Sequence, residues 1–476
     1  MLWLCLHLPH LPLDVFGRGL AQDQPVAIAS HDRRPVVVAC NAPARALGIE
    51  PGMAAVAALA LAPQTLTRLR EETTEATALR TIAGWALQFA SKVSIEPAAP
   101  AAVVLDIAGS LRLFGGLRRI VGCVRAEIAA LGYAARLAVA PTPTAAVLLA
   151  LSGDGIAVRH AGDLPRALAP LPLALLPGHR NAIDTLSDMG IDCIGDALRL
   201  PRDGFARRFG QPLLDALDRA HGRLPDPRLP FVPPGRFESR LLLPAPVIAA
   251  EALLFAAQRL LAECCGWLVG RGLGLMRFAF ALEHEDTPAP TVVTINLSAP
   301  SRDAAHLLRT VRERFTALHL PGRVEAIDLR SLEVASLAGS NRSLLPEPAS
   351  PEAAHALLDR LCARLGDDAV LGIATASDHR PEHAWAAHPA TMPGARTAPT
   401  AFPPRPLWLL DPPRLIPAAR ATGDAFVLLD GPERIETGWW DGRDVRRDYY
   451  VARTADGERL WLFRTDDNWF IHGIFG

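Results

Sequence analysis

His379-Arg-Pro-Glu-His383 carries two imidazoles and a carboxylate at the H-x-x-E-H spacing with which a helix can hold zinc beside a catalytic acid. Pro381 sits inside that pattern, and an internal proline costs a helix about 3 kcal/mol. A loop is therefore expected, and a zinc metallopeptidase stands only as an alternative. His7 and His10, three residues apart, are expected to bond backbone rather than a metal. Gly270-Arg-Gly272-Leu-Gly274 has the glycines of a phosphate loop, but it follows a helical pattern and opens a strand pattern, the reverse of the order that aims helix N–H groups at phosphate. A helix-to-strand turn is expected there. The seven cysteines are scattered with no C-x-x-C pair, and Cys264 and Cys265 are adjacent, so neither a zinc finger nor a disulfide framework is indicated. No metal and no cofactor is expected.

The elements that must position such residues belong to several domains, because 476 residues exceed one hydrophobic core. Half the residues are apolar and 21% are charged, a balance suited to folded rather than disordered chain. Net charge is −1, so contact with nucleic acid would have to be local, and Lys92 is the only lysine. The opening residues lack a basic leader, and no apolar run reaches the roughly 20 residues of a membrane span, so a cytoplasmic, nucleoid-associated protein is expected. Residues 2–6 and 103–107 read as buried strands, and residues 116–131 as a helix ended by Gly132. Residues 171–200 break into short helices at Pro177-Gly178 and Met189-Gly190. The prolines between Pro225 and Pro234 predict an interdomain linker, and residues 386–406 a flexible join. Between them, residues 248–268 and 303–318 read as helices and 275–282 and 292–297 as strands. Asp456-Gly457 predicts a hairpin turn in an aromatic-rich, β-rich tail.

An ordered series of motifs resembles the Y-family lesion-bypass DNA polymerases. Asn41-Ala-Pro-Ala-Arg45-Ala-Leu-Gly48-Ile-Glu-Pro-Gly52-Met53 is similar to their fingers signature. Leu105-Asp106-Ile-Ala-Gly109-Ser110 with Leu113-Phe114-Gly115 resembles their second palm strand, Ala140-Pro-Thr-Pro143 the next helix entry, and Leu186 to Gly195 the thumb's helix-hairpin-helix. The tail, from Gly431 through Trp439-Trp440-Asp and Asp448-Tyr-Tyr450 to Trp461-Leu-Phe-Arg464 and Trp469-Phe-Ile-His-Gly473, is similar to that of the ImuB-type branch. The resemblance implies an α+β multidomain, right-hand architecture. Palm is expected at 1–18 and 77–165, fingers at 19–76, a thumb with helix-hairpin-helix at 166–230 and little finger at 231–335. A linker with a degenerate clamp peptide and a short helix would fill 336–406, and a partner-binding, β-rich region 407–476.

Nucleotidyl transfer in that family implies two divalent metals held by palm carboxylates. Aligned with those ligands, this chain has His7, Pro9, Ala101 and Ala102, none of them acidic. Asp106 corresponds to a secondary acid, and Asp14 and Glu96 fall out of register. The motif tyrosine is Ala42 and the triphosphate-binding lysine is Val147, while Arg45 is retained. The resemblance thus implies an inactive polymerase homologue rather than an enzyme, serving translesion synthesis within the SOS response to DNA damage. A divergent but active polymerase is the alternative.

Candidate DNA contacts are Arg45, Gly178, Arg180 and Gly190, with Arg302 and Arg309 among the little-finger arginines at 302, 309, 312, 314, 323 and 330. For each arginine the alternative is an ordinary solvated or structural side chain. Ser343-Leu344-Leu345 lies where the family carries a peptide that plugs into the sliding clamp. Trp439, Trp440, Tyr449, Tyr450, Trp461 and Trp469 are candidate partner-binding aromatics, or else the core of a small domain. The partners implied by resemblance are primer-template DNA, the clamp, an ImuA-type RecA-like protein and an error-prone C-family polymerase.

Overall fold

The computed structural model describes residues 1–18, 23–96, 101–285, 288–337, 351–390, 403–417 and 426–476. The chain forms two compact units, Met1–Arg364 and Leu365–Gly476.

The first unit is organised around a five-stranded palm sheet in the order Val93–Ile95, Ala102–Asp106, Trp3–His7, Arg136–Ala140 and Ile156–Ala157. Every residue of the central strand Trp3–His7 is buried, because helices cover both faces of the sheet, and this is why it reads as an unbroken apolar run. Trp3 and Cys5 face a core shared with helix Pro143–Ser152 and the thumb. Leu4 and Leu6 face the opposite core, built with helices Glu72–Ala86 and Leu117–Ala130. Gly132, at φ 89°, follows the latter helix and takes the left-handed conformation that favours glycine.

The fingers form a small sheet, Val37–Cys40, Val26–Ala29 and Leu66–Leu69, flanked by helices Ala42–Ala46 and Ala55–Leu61. The thumb is a set of short helices, among them Arg180–Asp188, Ile194–Ala197, Arg202–Phe209 and Gln211–Ala220. The proline-rich stretch that follows is not a free linker. Ser94 Oγ donates to Leu229 O at 2.6 Å, Phe231 N donates to Val93 O at 2.7 Å, and Arg228 pairs with Glu96 at 2.7 Å, so the segment runs strapped along the edge of the palm.

The little finger is an antiparallel sheet in the order Thr291–Ser301, Leu273–His284, Val324–Ser336 and Glu238–Val247, with helices Leu254–Arg271 and Ala304–Thr316 sharing its core. Gly272, at φ 66°, makes the expected helix-to-strand turn. Helix Pro351–Leu365 is tied to this module by Asp359, which accepts from Ser298 N at 2.7 Å and lies 2.9 Å from His306 Nε2.

The second unit contains a hairpin, Leu371–Thr375 with Trp385–Pro389, and a five-stranded antiparallel sheet in the order Trp408–Ile416, Asn468–Ile474, Arg459–Thr465, Val445–Thr454 and Phe426–Thr437. The hairpin corrects part of the flexible join expected at 386–406: residues 385–389 find strand partners at 371–375, a pairing that local composition does not encode.

Candidate active site

The register of the palm strands brings the four aligned positions together. His7 lies opposite Ala102 on one side and Arg136 on the other, and Leu8 N donates to Ala101 O at 2.8 Å. Burial pushes the His7 imidazole down to about 4, helped by the positive charge of Arg136 and the neighbouring His10. Its Nδ1 has no hydrogen-bond partner. Asp106 is opposite Trp3, at the far end of the pair, about 13 Å from Ala102 by strand rise.

The two out-of-register acids are engaged elsewhere. Glu96 donates its backbone N–H to Ala102 O at 2.9 Å, so it stands beside the site, but its carboxylate pairs with Arg228. Arg228 also donates to Thr144 Oγ1 at 2.9 Å and pairs with Asp226. Asp14, on helix Leu11–Gly17, accepts from Ala134 N at 3.0 Å, and burial raises its carboxyl to about 7. Val147 lines a cleft of about 370 Å³ with Glu96, Thr144 and Arg228, offering only methyl groups there.

Magnesium takes hard oxygen donors in octahedral array, commonly carboxylates with water. One neutral imidazole, a proline and two alanines do not supply that set, so these four positions do not fit the two-metal centre that the resemblance implies. Among the described residues no group of three or more His, Cys, Asp or Glu side chains is placed to hold a metal ion.

Across from the strand ends, Asn41 caps helix Ala42–Ala46 by accepting from Ala44 N at 3.1 Å and fastens it to Val26 N at 2.9 Å and Gln24 O at 2.7 Å. This holds Arg45 at the end of the helix, exposed, on the rim of a cleft of about 380 Å³ that also contains His10, Asp14 and Asn41. Burial lowers the His10 pKa, as do the charges of Arg45 and Arg136, so the cleft is cationic at its rim.

The remaining candidate contacts lie in separate modules. Gly178 and Gly190, at φ 82° and 76°, form exposed turns at either end of helix Arg180–Asp188, and Arg180 is exposed at its start. Arg309 is exposed on helix Ala304–Thr316 and Arg302 is half-buried before it; neither has an ion-pair partner among the described residues. Arg323 and Arg330 are different, paired with Glu285 at 2.9 Å and Glu238 at 2.8 Å. Ser343, Leu344 and Leu345 lie outside the described residues.

In the second unit the aromatics divide. Trp439 and Trp440 are 80% and 58% exposed, and their rings meet edge to face at 5.7 Å. Tyr450 and Trp469 are half-buried and touch each other. Tyr449 and Trp461 are buried and stacked at 4.1 Å, which corrects their assignment as partner contacts: they are core. Tyr449 Oη lies 2.8 Å from His472 Nδ1 and accepts from Arg447, which in turn pairs with Glu382 at 2.9 Å. Glu382 is the acid of the H-x-x-E-H pattern. That segment forms a turn of 3-10 helix at Pro381–His383, so its glutamate serves a buried structural network rather than a zinc site.

The sequence reading missed Arg18, whose guanidinium pairs with Glu263 across the palm and little finger, and the two Gly-Trp dipeptides, Gly84-Trp85 and Gly266-Trp267, that meet nearby. Their signal was present: a glycine beside the largest side chain, inside each of two helices.

The model of the impB/mucB/samB family matches residues 16–150. Protein ImuB of Caulobacter vibrioides (strain NA1000 / CB15N) is 30% identical over 463 residues, covering 90% of this chain and 100% of that protein. DNA polymerase IV of Dehalococcoides mccartyi (strain CBDB1) is 28% identical over 220 residues, 42% of this chain and 54% of that one. Among solved structures, DinB from Sulfolobus solfataricus is similar at 18% identity and a TM-score of 0.38, and an insertion ternary complex of Dbh DNA polymerase at 18% and 0.41. The alignments cover 70% and 69% of this chain, and 98% of each of the others. With 90% of this chain matched at 30% identity to the whole of a relative, the chain belongs to the ImuB family of Y-family polymerase homologues.

Proposed function

We propose that this protein is a non-catalytic, polymerase-like scaffold for error-prone translesion synthesis in the response to DNA damage. The observation that carries the reading is the pairing of His7 with Ala102, flanked by Ala101 and Pro9, where a nucleotidyl transferase needs carboxylates. Without hard ligands, nothing there can hold the cations that activate a primer oxygen and stabilise departing pyrophosphate. What remains is a right-hand body with exposed arginines suited to phosphates, Arg45, Arg180 and Arg309 among them.

Recruitment falls to the other features. Exposed Trp439 and Trp440 suit an interface anchor, since aromatic side chains contribute most when buried at the centre of a contact. Their partners in this reading are an ImuA-type RecA-like protein and an error-prone C-family polymerase, with Ser343, Leu344 and Leu345 reaching the sliding clamp. Primer-template DNA occupies the body, and the protein acts in the cytoplasm on the nucleoid.

The test is capture of those two purified partners by the full chain and by the Trp439→Ala, Trp440→Ala double variant. Capture by the parent and its loss in the variant is the expected result. Capture undiminished in the variant would place the interface elsewhere, and no capture by the parent would remove the scaffold reading.

A further inference from the structure

The little finger and the palm meet through two helices, Leu254–Arg271 and Glu72–Ala86, that fit like reciprocal notches. Trp85 of the palm helix lies on Gly266 so closely that a methyl group there would overlap its indole. Trp267 of the little finger lies on Gly84, where a methyl would stand 3.3 Å from its ring. One turn along, a methyl at Gly270 would be 2.5 Å from Leu87 Cβ and 3.0 Å from its backbone carbonyl carbon. Each helix thus lends a tryptophan to the other's glycine, and both tryptophans are buried. The helix Leu254–Arg271, with the short turn before it, is apolar enough to cross a membrane by length and composition, because it packs on the little-finger core and the palm together.

Beside the notches Arg18 and Glu263 form an ion pair with both side chains buried. Glu263 also accepts from Ser239 Oγ at 2.5 Å. Arg18 lies over the Tyr133 ring at 4.5 Å and donates to Arg240 O at 3.4 Å, so a palm residue is bonded to both a helix and a strand of the little finger. A buried pair of this kind is satisfied in one register only, since sliding helix Leu254–Arg271 along the palm by a turn parts Glu263 from Arg18 and leaves both charges buried without a partner.

We propose that the little finger is permanently docked on the palm as one rigid body, locked by the reciprocal Gly-Trp notches and keyed by Arg18 and Glu263. The segment joining thumb to little finger is then a strap and not a hinge. The body keeps a fixed spacing between its thumb and little finger whether or not a ligand is present.

The experiment is to insert a specific protease site at exposed Gly235 of the full chain, cut it, and follow the pieces by native size exclusion. The cut protein is expected to elute as one particle of full size; pieces that part would overturn the proposal. Gly266→Leu in the same background is expected to elute normally when uncut and to fall apart when cut. A cut G266L protein that stays together would show that the notches are not the lock. Should G266L fail to fold, Arg18→Met, which adds no bulk, is expected to weaken retention by about tenfold or more. Retention unchanged in R18M would equally contradict the assignment.

Discussion

Burial decides what the palm's titratable side chains can do. At neutral pH the His7 imidazole is uncharged, between Ala102 on one strand and Arg136 on the other, and the Asp14 carboxyl, raised to about 7, accepts from a backbone N–H. Asp14 makes a signed prediction. Its folded pKa is raised above the ordinary carboxylate value, so the folded chain binds the extra proton between about pH 4 and 7. The stability this contributes is fully present below pH 4 and is lost as pH rises through 7. Relative to Asp14→Asn, the parent's melting temperature should therefore fall as pH is raised across that window; a difference independent of pH would sink the assignment. Restoring acids gives a second test. His7→Asp with Ala101→Asp and Ala102→Glu should bind Mn²⁺ in spin-resonance titrations where the parent does not, and equal binding by both would mean that other groups hold the cation. That His7, Pro9, Ala101 and Ala102 carry no acid is read directly from residue types. The engagement of Glu96 by Arg228 was not legible, because those residues are far apart in sequence and meet only through the folded strap.

Elements whose ends are marked by local chemistry were the ones sequence could place. Gly132 and Gly272 end helices because only a residue without a Cβ takes their backbone angles at no cost, and Gly457, at φ 91°, turns the tail hairpin for the same reason. A hairpin with no tight-turn motif was not legible, as with Leu371–Thr375 and Trp385–Pro389. Nor was the division of the tail's aromatics, since Tyr449 and Tyr450 are adjacent yet face opposite sides of one strand, the first buried and the second half-exposed. That division predicts two classes of variant. Trp461→Ala should destabilise its unit by about 3–5 kcal/mol in denaturant unfolding, the usual cost of emptying a buried aromatic site. Trp439→Ala should change stability by less than about 0.5 kcal/mol, as exposed substitutions do. Equal effects of the two would contradict the burial described here.

At the scale of the whole molecule, the net charge is −1, and arginines without an ion-pair partner among the described residues lie on separate modules, with Arg45 on the fingers, Arg180 on the thumb and Arg309 on the little finger. If these touch phosphates, Arg180→Ala and Arg309→Ala should each weaken primer-template binding evenly across sequences and reduce the slope of log affinity against log salt by about 1. An unchanged slope would remove that residue from the interface. The β-rich C-terminal region was legible because its turn and its aromatic strands are local signals, whereas the contact of helices Glu72–Ala86 and Leu254–Arg271 depends on two Gly-Trp pairs 182 residues apart in the chain.

On the proposed function the palm performs no nucleotidyl transfer, and primer extension asks that of the protein outright. The purified full chain would be incubated with a primed template and all four nucleotides in Mg²⁺ and then in Mn²⁺, alongside an active Y-family polymerase and its carboxylate-to-alanine variant. The expected result is no product above the level of that inactive variant with either metal. Template-directed extension by the isolated chain would overturn the proposed function.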